Sequence, residues 1–71
     1  MEFKIQGIID GWVYFELPAY VIKGTNGPSR IAVYRTDGNK VEGKNLSSWS
    51  ETGSLPVIIV AREAFKLAYH R

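Results

Sequence analysis

Leu55-Pro56-Val57-Ile58-Ile59-Val60-Ala61 is the stretch in which apolar residues run without alternation. A strand that is buried on both faces has this pattern, and a proline is tolerated at the start of a strand. The stretch therefore predicts a central buried strand over residues 57–61. The rest of the chain is expected to pack around it.

A first hairpin with an Asp-Gly turn is predicted at the N-terminal end of the chain. Residues 2–8 and 12–17 alternate apolar and polar side chains on either side of Asp10-Gly11. The loop could contain two or three residues, and the two choices place opposite sets of side chains on the same face. We expect the three-residue loop, with Ile5 opposite Phe15, because it gathers the large apolar side chains on one face.

A second hairpin is predicted to repeat this turn. Residues 30–35 and 40–44 are the strands, and Thr36-Asp37-Gly38 joins them. With the same loop length, Val33 lies opposite Val41 on the inner face. The outward face then carries mostly basic and aromatic side chains.

The remaining segments complete a small, mainly β domain. Residues 19–23 are predicted to form a short strand after Pro18, and residues 45–54 are predicted to form a Ser-rich loop. After residue 61 the apolar residues are spaced three and four apart, which predicts a short helix over residues 62–70. The fold class is mainly β (α+β). We expect residues 1–71 to form one domain, a five- or six-stranded antiparallel curled sheet or a partly open SH3-like or OB-like barrel with a short C-terminal helix.

Composition limits the classes of function. The 71 residues include no cysteine, which excludes disulfides and thiolate metal sites, and the net charge is only +2. No apolar run approaches the roughly 20 residues that span a bilayer. With no signal peptide expected, the sequence favours a cytoplasmic protein that needs no membrane.

Catalytic chemistry is not predicted. The single histidine, His70, is the penultimate residue, where a catalytic imidazole rarely has a positioned partner. Both aspartates lie in Asp-Gly turns, and the glutamates are scattered along the chain. We therefore expect no enzyme activity, no cofactor and no metal site.

The outward face of the second hairpin predicts binding of single-stranded DNA or RNA. Arg30 would lie opposite Lys44, and like charges directly opposed are costly unless an anion lies between them. Tyr34 would stack a base while the cations follow phosphates. An ordinary solvated strand face is the alternative. The predicted site consists of Lys23, Arg30, Tyr34, Lys40 and Lys44, with Trp49 as an additional stacking residue.

The outward face of the first hairpin predicts a second kind of site. Trp12 and Tyr14 make that face more apolar than a solvated face. Either the C-terminal helix covers them, or they form an exposed surface for a protein partner or a homodimer. Trp49 either anchors its loop or joins that surface. The alternative function is thus a protein-interaction module, such as an inhibitor, adaptor or assembly subunit.

Overall fold

The computed structural model describes residues 3–18 and 31–70 of the chain. These residues form an open, five-stranded antiparallel sheet and one C-terminal helix, which confirms the predicted fold class. The strands follow one another across the sheet in chain order, and the predicted strand over residues 19–23 lies outside the described residues. The elements are β1 (Lys4–Ile9), β2 (Trp12–Pro18), β3 (Ile31–Thr36), β4 (Val41–Asn45), β5 (Ser48–Glu51) and α1 (Leu55–Tyr69).

Helix α1 occupies the stretch that was predicted to be a buried strand, so that prediction and the predicted helix start at residue 62 are wrong. The buried residues of α1 recur three and four positions apart, which is the period of a helix with one face on the core. Pro56 lies in the first turn, where its missing N–H removes no helical hydrogen bond. The apolar run is unbroken because exposed positions such as Ile59 are apolar as well. The buried residues are Val57, Val60, Ala61 and Ala64.

The turn between β1 and β2 contains two residues, so the predicted three-residue loop is wrong. Ile9 pairs with Trp12 across the turn. Asp10 and Gly11 both have positive φ, at 51° and 82°, as a type I′ turn requires. This turn matches the right-handed twist of the strands, which favours it over the longer loop.

A β-bulge in β1 restores the apolar face that the longer loop was expected to supply. The register shifts by one residue between Ile5 and Gly7. Beyond the shift, Ile5 pairs with Phe15 and Lys4 with Glu16, as the sequence predicted. The extra residue of a bulge changes which face the following side chains occupy, so a tight turn and an apolar face coexist in one hairpin.

The second hairpin has a loop of four residues rather than three. Thr36 pairs with Val41 and Tyr34 with Gly43, so the predicted pairing of Val33 with Val41 is wrong. The Asp37 carboxylate stabilises the loop. It accepts hydrogen bonds from the backbone N–H of Asn39 at 2.8 Å and from that of Lys40 at 2.7 Å. A shift by an odd number of positions moves every side chain of one strand to the other face.

The predicted Ser-rich loop contains the fifth strand. β5 pairs with β4 through residues such as Lys44 and Trp49, which lie opposite each other. The two strands are joined at Leu46-Ser47, where Leu46 has a φ of 56° and is 93% exposed. A leucine in the left-handed region is strained, because its Cβ crowds the backbone.

The core lies between α1 and one face of the sheet, which we call the inner face. Val13, Phe15 and Leu17 of β2 are completely buried there against Val57 and Val60 of α1. The opposite face, which we call the outer face, therefore carries the alternate residues of β2. The interpretation that the helix covers Trp12 and Tyr14 is wrong, because α1 packs on the other side of the sheet.

Candidate functional site

The register of the second hairpin separates the residues of the predicted nucleic-acid site. Tyr34 belongs to the inner face, where its ring stacks on Phe15 with centroids 5.7 Å apart and an angle of 24°. Burial raises the pKa of the Tyr34 phenol, as expected for a ring at the core. The predicted outward position of Tyr34 is therefore wrong, and its ring is not presented to a base on the outer face.

The strand opposite Tyr34 accommodates the ring by carrying no side chain. A Cβ added at Gly43 would lie 2.9 Å from the Tyr34 ring. The ring thus occupies the space that any other residue at position 43 would fill. This close approach fixes Tyr34 in the core and explains why Gly43 lies in mid-strand.

The two predicted basic residues that the structure describes lie at opposite ends of β4. Lys40 lies at the exposed end of the second hairpin loop, next to β4. Lys44 and Trp49 are cross-strand neighbours, so the structure brings together this one pair of the predicted set. Lys23 and Arg30 lie outside the described residues.

The outer face instead gathers both aromatic residues of β2 around an arginine. Tyr14 pairs with Arg35, and Arg35 in turn pairs with Glu42, so the three side chains cross the middle of the sheet in one row. Trp12 and Trp49 lie on the same face as these three, and all five side chains are partly exposed. The outer-face cluster consists of Trp12, Tyr14, Arg35, Glu42 and Trp49.

Arg35 is the centre of this cluster. Its guanidinium carbon lies over the Trp12 ring, 4.5 Å from the centroid, and over the Trp49 ring, 4.4 Å from the centroid. Both distances are within the range in which a cation is attracted by the π-face of an indole. A single side chain therefore ties the first hairpin to β5, at the far side of the sheet.

Polar contacts fix the guanidinium in this position. Arg35 Nε donates to Glu42 Oε1 at 2.8 Å, and one terminal nitrogen forms an ion pair with the same oxygen at 2.7 Å. The other terminal nitrogen donates to the Tyr14 hydroxyl at 3.4 Å. The Tyr14 contact, and then the Glu42 contact, raise the pKa of Arg35 above its usual value. Tyr14 also meets Trp49 edge to face, with centroids 5.6 Å apart.

The charges of the outer face are balanced. Strand alternation and the observed register place six charged residues of the described strands there, three of each sign. The net charge of +2 of the chain is therefore not concentrated on this face. The three basic residues are Lys4, Arg35 and Lys44, and the three acidic residues are Glu16, Glu42 and Glu51.

The sequence pattern indicated Trp12, Tyr14 and Trp49 but not the two charged members of the cluster. Arg35 and Glu42 would have been found with a four-residue loop in the second hairpin, which places them opposite each other on the face of Tyr14. The sequence Asp37-Gly38-Asn39-Lys40 is compatible with a loop of four residues and also with a loop of three. The missing information was therefore the loop length.

Other kinds of site find no support in the part of the chain that the structure describes. Across residues 3–18 and 31–70, no group of three or more potential ligand side chains is arranged to hold a metal ion. None of the helical residues described forms a segment long and apolar enough to cross a membrane. A scan against protein-family models found no match, and neither did searches of curated proteins and of solved structures.

Proposed function

We propose that this chain is a non-catalytic protein-interaction module that binds a protein partner through the outer-face cluster. The observation that carries the proposal is the position of Arg35, which lies over Trp12 and Trp49 on the face that α1 leaves uncovered. As part of the proposal, the module acts in the cytoplasm, where a chain without cysteine needs no oxidising environment.

The composition of the cluster supports an interface with a protein. Tryptophan, tyrosine and arginine are the residues most enriched at the energetic centres of protein–protein interfaces. Tryptophan and tyrosine bury a large area with few rotatable bonds, and all three residue types offer a polar atom or a π-face for specificity. On the outer face these three residue types lie in contact with one another, and each of their side chains is partly exposed.

The contacts within the cluster also lower the cost of binding. A partner must otherwise immobilise each side chain it touches, at about 0.5–1.5 kcal/mol for a flexible one. Arg35 is already held by Glu42 and Tyr14, and its side chain is only 22% exposed. The cluster is therefore preorganised, so more of the interaction energy is available for affinity.

The balance of charge favours a protein partner over a nucleic acid. Binding to a phosphate backbone depends on several unpaired cations, each of which releases a counterion. On the outer face the three positive charges are matched by three negative charges, and Arg35 is paired with Glu42. A neutral face with an aromatic centre suits a protein surface better than a polyanion.

Binding of single-stranded DNA or RNA is the second candidate, and the pairing of Lys44 with Trp49 favours it. The two side chains are cross-strand neighbours on the outer face, at the edge strand β5. A base could stack on the Trp49 ring while Lys44 contacts the adjacent phosphate. This site is smaller than the predicted one, because Tyr34 is turned into the core.

The experiment compares the proteins retained by four immobilised forms of the chain: wild type, Trp12→Ala, Trp49→Ala and Ile59→Ala. Ile59 is a matched control, because it is apolar and 46% exposed but lies on α1, behind the sheet. We expect a partner that wild type and Ile59→Ala retain and both tryptophan variants lose. With that partner purified, each tryptophan should account for about 2 kcal/mol or more of binding free energy.

Two results would contradict the proposal. Equal binding of the partner by all four folded forms would place the interface elsewhere on the molecule. Tight binding of a mixed-sequence single-stranded oligonucleotide that weakens steeply with salt, and that is lost in Lys44→Gln, would favour the second candidate. Thermal unfolding of each variant checks that it is folded, and Trp49→Phe replaces Trp49→Ala if the latter is not.

A further inference from the structure

A groove of about 520 Å³ lies on the helix side of the molecule, away from the outer-face cluster. The loop between β3 and β4, the end of β5 and one side of α1 form its walls. Its volume is within the range of about 300–1,000 Å³ that is typical of small-molecule sites. The apolar residues that line it are Val41, Ile58, Ala61 and Phe65.

Two cations border this apolar surface. Arg62 and Lys66 both line the groove, and they lie one turn apart on α1. Both side chains are exposed, and neither has a salt-bridge partner within residues 3–18 and 31–70. Like charges four positions apart on a helix repel each other. An anion placed beside both side chains would relieve that repulsion.

The charges that line the groove favour an anionic ligand. Glu51, the last residue of β5, also borders the groove, but the register of β5 places its side chain on the outer face, beside Glu42. The charged side chains of the groove are therefore those of Arg62 and Lys66, and both are positive. A ligand with an anionic end and an apolar chain matches two cations beside apolar residues, and a carboxylate is such an end.

We propose that the groove binds a small amphipathic carboxylate, with the carboxylate beside Arg62 and Lys66 and the apolar chain on Ile58 and Phe65. The apolar surface supplies affinity through burial, and the two cations supply the preference for a charged end. This site goes beyond the proposed function, because the sheet lies between the groove and the outer-face cluster. Its test is therefore independent of any protein partner.

The test is a titration of the isotopically labelled chain with octanoate, followed by the backbone amide signals. We expect saturable shifts at residues that line the groove, such as Asn39 and Thr52. Hexanoate should bind about fifteenfold more weakly, because it buries two fewer methylene groups. 1-Octanol, which has a chain of the same length but no negative charge, should also bind more weakly than octanoate.

Substitutions then separate the charge from the shape of the groove. Arg62→Gln and Lys66→Gln should each weaken octanoate binding by about two- to fivefold, as expected for an exposed charge. Arg62→Lys should retain the affinity, because it keeps the charge. Lys44→Gln is the matched control, since it removes an exposed cation on the outer face and should change nothing.

Several outcomes would overturn the proposal. Octanoate that causes no saturable shifts, or that shifts residues of the outer face instead, would show that the groove is not the site. Equal affinity for octanoate and 1-octanol would remove the role of the two cations. The same conclusion would follow if Arg62→Gln and Lys44→Gln weakened binding equally.

Discussion

At the scale of single residues, Arg35 determines the outer-face cluster because a planar guanidinium can meet several partners at once. It lies over two indole rings while it donates to Glu42 and Tyr14. A lysine at this position would keep the charge. Its ammonium is not planar, however, so it cannot stack on a ring while it donates several hydrogen bonds in the ring plane. The identity of the cation, and not its charge alone, therefore stabilises the cluster.

We predict that Arg35→Lys lowers the free energy of unfolding by about 1 kcal/mol, the scale of a partly desolvated cation–π contact. Urea denaturation followed by tryptophan fluorescence measures the change. Arg62→Lys is the control, because Arg62 is exposed on α1, and its replacement should alter stability by less than about 0.5 kcal/mol. Equal effects of the two substitutions would mean that the stacked geometry of Arg35 contributes nothing to stability.

Asp37 gives a prediction about pH. The backbone N–H groups of Lys40 and then Asn39 donate to its carboxylate and lower its pKa. Because the pKa is lower in the folded chain than in the unfolded chain, the stabilisation is complete above the ordinary aspartate pKa of about 3.9 and is lost as the pH falls below it. Asp37→Asn keeps an oxygen acceptor but cannot titrate.

Stability measured by urea denaturation over a series of acidic pH values should therefore fall less steeply in Asp37→Asn than in wild type. Identical slopes for the two proteins would show that the hydrogen bonds of the loop do not favour the charged form of Asp37. The comparison needs no other variant, because both proteins share all the remaining carboxyl groups.

The sequence predicted the positions of the four strands of the two hairpins well, but not which of their residues face outward. Tyr34 illustrates the reason, because its strand was predicted almost to the residue while its face was wrong. The face that a side chain occupies depends on the register of its strand, and one extra residue in a loop moves the side chain to the other face. In the first hairpin the turn was predicted one residue too long, but the β-bulge in β1 compensates for that difference. The predicted pairing of Ile5 with Phe15 is therefore correct.

At the scale of secondary-structure elements, residues 57–61 show why the predicted strand was wrong. Valine and isoleucine favour strands locally, since their branched side chains lose freedom in a helix. The helical period of the buried positions nevertheless extends from Val57 through Ala64. Packing of that face on β2 overrides the local preference, as is common for helices in proteins. The period could have been read from the sequence, but the unbroken apolar run concealed it.

The turn at Leu46-Ser47 gives a prediction at this scale. Apart from glycines, only Asp10 and Leu46 have positive φ among the described residues, and Leu46 has no short polar side chain to ease the strain. Leu46→Gly should raise the free energy of unfolding by about 0.5–1 kcal/mol, since relief of strain exceeds the entropic cost of glycine.

Ser47→Gly is the matched control for this turn. Ser47 is the neighbouring turn residue and has no positive φ, so glycine there supplies flexibility without relieving strain. We expect it to lower stability by about 0.5 kcal/mol. Thermal unfolding of both variants measures the difference, and a loss of stability in Leu46→Gly equal to that in Ser47→Gly would show that Leu46 is not strained.

At the scale of the whole molecule, the sheet separates two surfaces of different chemistry. One is the aromatic outer face, and the other is the groove with cations beside α1. Composition and alternation predicted a small antiparallel sheet with a C-terminal helix. They did not show which face the helix would cover, because both faces of the first hairpin are apolar enough to accept one. The helix packs on the face that offers the larger apolar area to bury. In β2 that face carries Val13, Phe15 and Leu17.

This separation predicts that the two surfaces act independently. Residues without shared contacts have additive effects, and no residue of the outer-face cluster lines the groove. Trp49→Ala should therefore abolish binding of the protein partner and leave octanoate affinity within about twofold of wild type. Arg62→Gln should weaken octanoate binding by about two- to fivefold and leave the affinity for the protein partner unchanged. Isothermal titration of the double variant with each ligand completes the cycle. Loss of both activities in either folded single variant would mean that the sheet transmits a change between its faces, and the two sites would then have to be treated as one.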